Sequence, residues 1–488
     1  MAFIKGMQLT CLFMFICQMA LSQTSNSLSN FEAELRQLKD MLKIPGLSYA
    51  VVKDQELLHA GAMGWADRER KIPATKKTLY SIASLTKTFT STILFQLAEQ
   101  GKLNLDEPIS KYDNSIKGDS LKVYHFLTHT SEGKPGTKYR YNGDRFALLQ
   151  SVIEKITGKS YREVLEENIL SKIKMKESIA GQDVLEDESK YKSYRKLLAK
   201  PYTLYGEDEM VLSPYPPKKI TASAGLLSNV TDLVKYDIAL DKHLFLSTAS
   251  QEKAWQLFVL SDGSLSPYGY GWFVQKVGEK KMVWHYGQWS TYSSLYIKLP
   301  EQNISLIILA NSDGLSRPFS LGSGNLLNSP FALAFLRHFV KHETGSKTSV
   351  QWMRDSTEFY TSLNALQASH PNANFAEEQK AYQSIQRYLL TRKSRVRQVS
   401  AVDPQIFKDY VGKYELLPVP LIISVVDNSL MAEGPLLNSK VQLFPETDTK
   451  FFLKILNAQV EFYRNEQNVV TGCNLYIDGT KYQCMKLE

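Results

Sequence analysis

The chain has 488 residues, 43% of them hydrophobic and 22% charged, with 58 Lys and Arg against 50 Asp and Glu. That length supports two or three folded domains with sizeable cores, and the composition excludes a disordered or fibrous protein. A net charge of +8 is a small excess, and the densest basic run, Thr391 to Gln398, has no interleaved aromatics. It reads as a solvated linker or helix face, not as a nucleic-acid surface.

The N-terminus places Lys5 before an apolar run from about Leu9 to Leu21, with small residues at Ala20 and Ser22. This is a signal-peptide layout, with cleavage expected after Ser22 and an exported mature chain, periplasmic or extracellular. The run is short for a membrane span, and no transmembrane segment is expected after signal removal. Of four cysteines, Cys11 and Cys17 fall in the signal, leaving Cys473 and Cys484. They flank a hairpin with Asp478-Gly479 at the turn, which sets Cys473 opposite Cys484. A disulfide is allowed there in a secreted protein, but a hydrogen-bonded pair holds the Cα atoms far apart, so the bridge stays open. No histidine cluster accompanies them, so there is no metal signal, and the chemistry read below implies no organic cofactor either.

Past the signal, "NFEAELRQLKDMLKI" has helical period and ends at Pro45-Gly46. "LSYAVVKDQELLHAGAMGWAD" then reads as an antiparallel hairpin. "YSIASLTKTFTSTILFQLAEQG", Tyr80 to Gly101, reads as a helix with a C-terminal glycine cap. Residues from about 116 to 215 read as a helical insertion, with Asp144 and Gly158 as caps and a capping box at Ser160 and Glu163. "YGYGWFV", "KMVWHY", "STYSSLYIKL" and "NISLIILAN" read as an antiparallel meander. Strands at both ends of this region predict one sheet assembled from distant segments. Residues 346–402 read as a helical linker, and 403–488 as short strands of a small β-barrel domain.

Chemistry concentrates at Ser84 and Lys87. A serine hydroxyl needs a base, and residues three apart share a helix face. Lysine is a base only where burial or nearby positive charge lowers its pKa, and Ile82, Leu85, Phe89 and Ile93 supply apolar surroundings. Spacing alone does not decide, because Ser171/Lys174, Ser189/Lys192, Ser193/Lys196 and Ser250/Lys253 share it.

Context does decide. In order, the chain carries "IPGLSYAVV", "GWAD", the Ser84 helix, "FLTHTS", "PGTKYRYNGDRFALLQSVIEKITGKSY", "SAGLLSNVTDL", "YGYGWFV" and "WHYGQWSTYSSLYIKLPEQNISLIILAN". From about 40 to 315 it resembles the serine β-lactamase and penicillin-binding-protein superfamily, in the branch of class C β-lactamases, DD-peptidases and esterases. The resemblance implies an α+β (α/β sandwich) fold, an antiparallel sheet flanked by helices, in a hydrolase domain over 23–345. It implies Ser84 as nucleophile, with Lys87 and Tyr141 handling protons, and oxyanion donors in the backbone N–H groups of Ser84 and Gln288. His285, Gly287 and Asn142 are the implied substrate-binding residues. The C-terminal domain resembles the barrel appended to many of these hydrolases.

Three departures bear on substrate. Gly143 stands where the family has asparagine, unless Asn142 substitutes for it. His285 replaces a charged lysine, which weakens a grip on a substrate carboxylate. A long loop between "FLTHTSEG" and "KPGTKY" is almost absent. The expectation is therefore a serine hydrolase of esters, amides or D-amino-acid peptides, with a small-molecule or peptide substrate, possibly from the cell wall. A penicillin-binding protein or class C-like β-lactamase is the alternative, and a non-catalytic cell-envelope binding protein a further one. Oligomeric state is left open.

Overall fold

The computed structural model describes residues 26–340, 349–417, 419–434 and 437–487. The signal sequence expected over 1–22 lies outside the described residues. Residues 26–41 form helix α1. Strands β1 (Gly46–Lys53), β2 (Glu56–Asp67) and β3 (Ile72–Pro73) follow, then helix α2 (Thr86–Glu99). Far along the chain come β6 (Phe273–Val277), β7 (Lys280–Gln288), β8 (Ser293–Leu299) and β9 (Ile304–Ala310), with hairpin β4 (Tyr202–Tyr205) and β5 (Glu209–Leu212) between. The main sheet runs β3-β2-β1-β9-β8-β7-β6, and β1 pairs antiparallel with β9 from Leu47↔Ala310 to Lys53↔Ile304.

Side chains alternate across this sheet. Ala50, Val52, Ile307, Leu309 and Tyr296 face one core together with Phe89 and Ile93 of α2. Leu47, Tyr49, Val51, Leu306, Ile308 and Leu295 face a second core with Phe31 and Leu35 of α1. Both faces are covered, which is why "ISLIILA" is apolar at nearly every position and buried at all of them. Each large aliphatic side chain buried this way contributes roughly 1.5–3 kcal/mol.

Between α2 and the meander, helices α3 (Gly143–Ala147), α4 (Leu149–Thr157), α5 (Tyr161–Leu165) and α6 (Val230–Asp241) build the flank beside α2. Gly158 ends α4 in the left-handed region, and Ser160 and Glu163 cap α5 reciprocally. Asn142, not Asp144, caps α3: its side chain accepts the Arg145 N–H at 3.0 Å. The β4–β5 hairpin closes this largely helical stretch.

After α7 (Pro330–Phe339), the described part of the 346–402 segment, from residue 349, forms α8 (Ser356–Ser369) and α9 (Ala376–Lys393). It is not a free linker. Phe359, Leu363, Tyr382, Ile385 and Leu389 enter the second core of the sheet, with Phe359 and Tyr382 stacked at 3.7 Å. The Arg337 guanidinium on α7 joins Glu34 of α1 at 2.7 Å to Glu378 of α9, and Arg392 reaches Asp313 at 2.6 Å. The polar composition of the segment hides its apolar stripe at Ala381, Tyr382, Ile385, Tyr388 and Leu389, the spacing of one helix face.

Eight strands from Gly412–Tyr414 to Thr480–Met485 then pair in simple sequence order. A bridge between Tyr414 and Lys486 brings the first strand to the last, so the sheet closes as a small barrel around Tyr414, Leu430, Phe451 and Phe462. Asp478 and Gly479 both have positive φ, as their hairpin turn requires. Cys473 faces Cys484 in register, both buried and unbonded. The barrel docks on the β4–β5 hairpin, where Lys454 lies 2.7 Å from Glu209 and its amine sits over the Tyr205 and Phe444 rings.

Candidate active site

Ser84 sits in a tight turn, Ala83–Leu85, that leads directly into α2. Three contacts hold that turn. Tyr80–Ser81 pairs with Leu226–Ser228, the Ile82 N–H donates to Leu226 O at 3.0 Å, and Ser294 Oγ donates to Ile82 O at 2.8 Å. Ala83 has φ of +50°, an uncommon conformation for a residue with a side chain. Such geometry costs of order 1–3 kcal/mol and persists only where the surroundings enforce it. Here it turns Ser84 out of the buried helix start.

α2 is buried from Thr86 to Leu97, hydroxyls included. Those hydroxyls are satisfied: Thr90 Oγ1 donates to Ala222 O at 2.6 Å, and Thr92 Oγ1 lies 3.1 Å from the Tyr236 hydroxyl. The helix therefore holds Lys87 in a fixed interior position, 1% exposed. Its Nζ is 2.9 Å from Ser84 Oγ and 3.0 Å from Ser223 O. The amine also lies 5.2 Å from the Tyr141 ring centre and 5.3 Å from that of Phe146. Burial pushes the Lys87 ammonium down from 10.5 to about 7, and Asp144 opposes this only in part.

Tyr141 completes the group. Its hydroxyl is buried and closes no hydrogen bond of good geometry among the described residues, while the nearby Ser84 hydroxyl favours its ionised form. Burial, reinforced by the neighbouring phenol of Tyr286, pushes its pKa well above the ordinary tyrosine value. Lysine down and tyrosine up means that both are neutral in mildly alkaline solution. The neutral amine can then accept the Ser84 proton while donating to Ser223 O.

Gly287 is on β7, where a Cβ would come within 2.0 Å of Ile82 O and 2.4 Å of Ser294 Oγ. The room it leaves is taken by the backbone that carries Ser84 rather than by substrate. Gln288 is the next residue, paired with Ser293. The Trp289 N–H donates to Tyr292 O at 2.8 Å, so alternation turns the Gln288 N–H away from β8, past the end of β6. β7 lies against the Ser84 turn at this point.

Two residues expected at the substrate are engaged inside the protein. His285 is fully buried, with Nε2 2.9 Å from the Tyr268 hydroxyl and Nδ1 2.7 Å from Tyr286 O. A neutral ring makes both bonds by donating from Nδ1 and accepting at Nε2, and burial holds its pKa down to about 3. His285 thus stands buried with both ring nitrogens engaged inside the protein. Asn142 is spent as the cap of α3, and its amide donates to Glu132. A Cβ on Gly143 would instead lie 3.9 Å from Lys87 Nζ, so position 143 faces the amine and holds no side chain.

Residues without an assigned role in the sequence reading also line the group. His129, with φ of +55°, accepts the Asn142 N–H at 3.2 Å on Nδ1 and lies 4.3 Å from the Tyr141 ring, its Nε2 buried without a partner. Tyr268 packs edge-on to it at 4.7 Å, and Tyr139 donates to Gly322 O at 2.9 Å. Their signal lay in "FLTHTS", "SAGLL" and "YGYGW", runs that hold His129, Ser223 and Tyr268 without spelling out a role. Ser171 and Lys174 lie exposed on the surface, apart from this group. Among the described residues no group of three or more His, Cys, Asp or Glu could hold a metal ion.

The beta-lactamase family model matches residues 31–325. The chain belongs to that family. Penicillin-binding protein 4* of Bacillus subtilis is 23% identical over 476 residues, covering 89% of this chain and 93% of that protein. Protein flp of Staphylococcus aureus (strain MW2) is 26% identical over 309 residues, or 55% of this chain and 60% of its own length. The solved structure of an octameric penicillin-binding protein homologue from Pyrococcus abyssi aligns with 94% of this chain and all of its own, at 23% identity and a TM-score of 0.56. That alignment extends the shared fold past the family-model match, into the barrel.

Proposed function

We propose that this chain is an exported serine hydrolase that forms an acyl-enzyme on Ser84. The observation that carries the reading is the Lys87 amine, buried without a contacting carboxylate and 2.9 Å from the Ser84 hydroxyl. Ser84 Oγ attacks the substrate carbonyl carbon as its proton passes to Lys87. The oxyanion is met by the N–H groups of Ser84 and Gln288. The bond to the leaving alcohol or amine breaks as Tyr141 relays the proton to it. Water then enters by the reverse sequence and releases the acid.

Substrates are esters, amides or D-amino-acid peptides with a neutral group at the β7 edge. The charged lysine of the family pattern is here a sealed, neutral His285, and Gly143 provides no amide, so efficient β-lactam hydrolysis is disfavoured. A second reading, acylation by penicillin with slow release, is favoured by the relatives named for penicillin binding. Export rests on the Lys5 to Ser22 pattern and is tested by N-terminal sequencing of protein recovered outside the cytoplasm.

A fluorophosphonate probe tests the nucleophile: labelling is expected in the native protein and lost in Ser84→Ala. Equal labelling of the variant would sink the mechanism. Turnover of p-nitrophenyl esters, D-amino-acid amides and a chromogenic cephalosporin then sorts the substrate classes. Cephalosporin turnover rivalling the esters would overturn the reading of His285 and Gly143.

A further inference from the structure

The start of the basic run, Thr391, Arg392 and Arg395, lines a concave pocket together with residues one to three turns earlier in α9. Lys380, Ser384, Arg387 and Thr391 are spaced four, three and four residues apart, so they form one ridge of α9, and Arg395 follows in the turn just past its end. Across from them the loop after β9 contributes Arg317 to Ser320, enclosing a cavity of about 430 Å³. Five cationic side chains line it, counting Arg392, and no acidic one does.

Two nearby acids offset only part of this charge. Asp313 is committed to Arg392 at 2.6 Å and to the Tyr388 hydroxyl at 2.7 Å, and it lies 3.7 Å from Arg317. Asp478 reaches Arg395 only at 4.0 Å. Lys380 and Arg387 have no ion pair among the described residues, although both are exposed. The guanidinium of Arg395 is disfavoured by burial and by the like charges of Arg392 and Arg317. A helix C-terminus favours cations in its last turn, which covers Arg392 and Lys393 but not Lys380, near the start of α9. Lys380 and Arg387, without a carboxylate partner among the described residues, leave a net positive concavity that favours entry of an anion. Guanidinium forks and the Lys380 ammonium are donors suited to a tetrahedral oxyanion, whereas the Ser384 and Thr391 hydroxyls donate to the Lys380 and Arg387 carbonyls of their own helix.

We propose that this pocket between α9 and the 317–320 loop binds a phosphate-bearing ligand. It is a second site, separate from Ser84. The same loop continues to Gly322, whose carbonyl holds Tyr139 at the active site.

The test is isothermal titration of the full chain with inorganic tripolyphosphate and, separately, with long-chain polyphosphate, at low ionic strength. The native protein is compared with Lys380→Gln/Arg387→Gln and with a control of equal charge, Lys102→Gln/Lys117→Gln. All four positions are exposed, and thermal melts check that folding is unchanged. Binding is expected in the native protein and the control, and weaker by about tenfold or more in the pocket variant, as loss of two charge-assisted bonds implies. Tripolyphosphate binding would mark a small-ligand site, and binding of the polymer alone would mark a site for a phosphate group on an extended chain. No binding, or equal losses in both variants, would overturn the proposal.

Discussion

Two lysines of this protein are each about 1% exposed, and they have opposite surroundings. Lys87 at the site touches a serine hydroxyl, a carbonyl oxygen and two aromatic faces. Lys298 of β8 lies between Asp237 and Asp241 of α6, at 3.0 and 2.7 Å, with Tyr296 donating to Asp237. Burial without a contacting counter-charge turns an amine into a base. Burial between carboxylates turns it into a brace linking a helix to the sheet.

One substitution made at both positions exposes the difference most strongly. Lys87→Met should lower kcat by roughly 10²–10⁴-fold, the usual contribution of a positioned base. It should also raise Tm, because an amine no longer has to be buried. The native chain should gain stability as pH rises from about 7 towards 10.5, since the unfolded lysine holds its proton where the folded one has lost it. That slope should disappear in Lys87→Met, and melts across this range at both genotypes measure it. A Lys87→Met protein that melts lower at every pH would refute the contrast.

Lys298→Met is expected to lose about 3–5 kcal/mol in urea unfolding, because it strands two buried carboxylates. Its kcat/KM per folded molecule should stay near native. Loss of activity without loss of stability would show that the brace is part of the site.

Gly143→Asp converts the first environment towards the second. Position 143 faces the Lys87 amine, so a carboxylate there should raise its pKa by roughly 1–3 units. Activity needs the neutral amine, so the native rate should rise with pH through about 7 and then level. In the variant that limb should move to higher pH. An unmoved limb would mean that Lys87 is not the titrating base. The smallest effect is expected for Asn142→Ala, about 0.5–2 kcal/mol of stability from the lost cap, with KM nearly unchanged. A large rise in KM would return Asn142 to the substrate pocket.

Much of this was legible in the residues. The meander, the β1–β2 hairpin, the Ser160 box and the Cys473 register follow from local period and turn chemistry. Ser84 and Lys87 are neighbours because they are three residues apart where a helix begins. The rest depends on distant chain. Whether His285 faces substrate or core is decided by Tyr268, which arrives from another segment to accept or refuse its ring. Gly287 is required by the Ile82 carbonyl, some two hundred residues earlier in the chain. Asn142 and Asp144 are both good caps, and only the Arg145 N–H chooses between them. α8 and α9 look polar because each buries one narrow stripe.

The pairing of β1 with β9 has a consequence for how the molecule is made. Hairpin β1–β2 can form early in synthesis, but the other edge of β1 has no partner until Ile304 to Ala310 leaves the ribosome. An apolar edge left open that long invites wrong pairing. The Ser84 turn leans on β7 and on Ser294 of β8, so its Ala83 strain is not supported until those strands too have been made. Assembly of the Ser84 turn is therefore a late event of translation, and a nascent chain stopped before β7 should carry Ser84 and Lys87 yet remain unreactive.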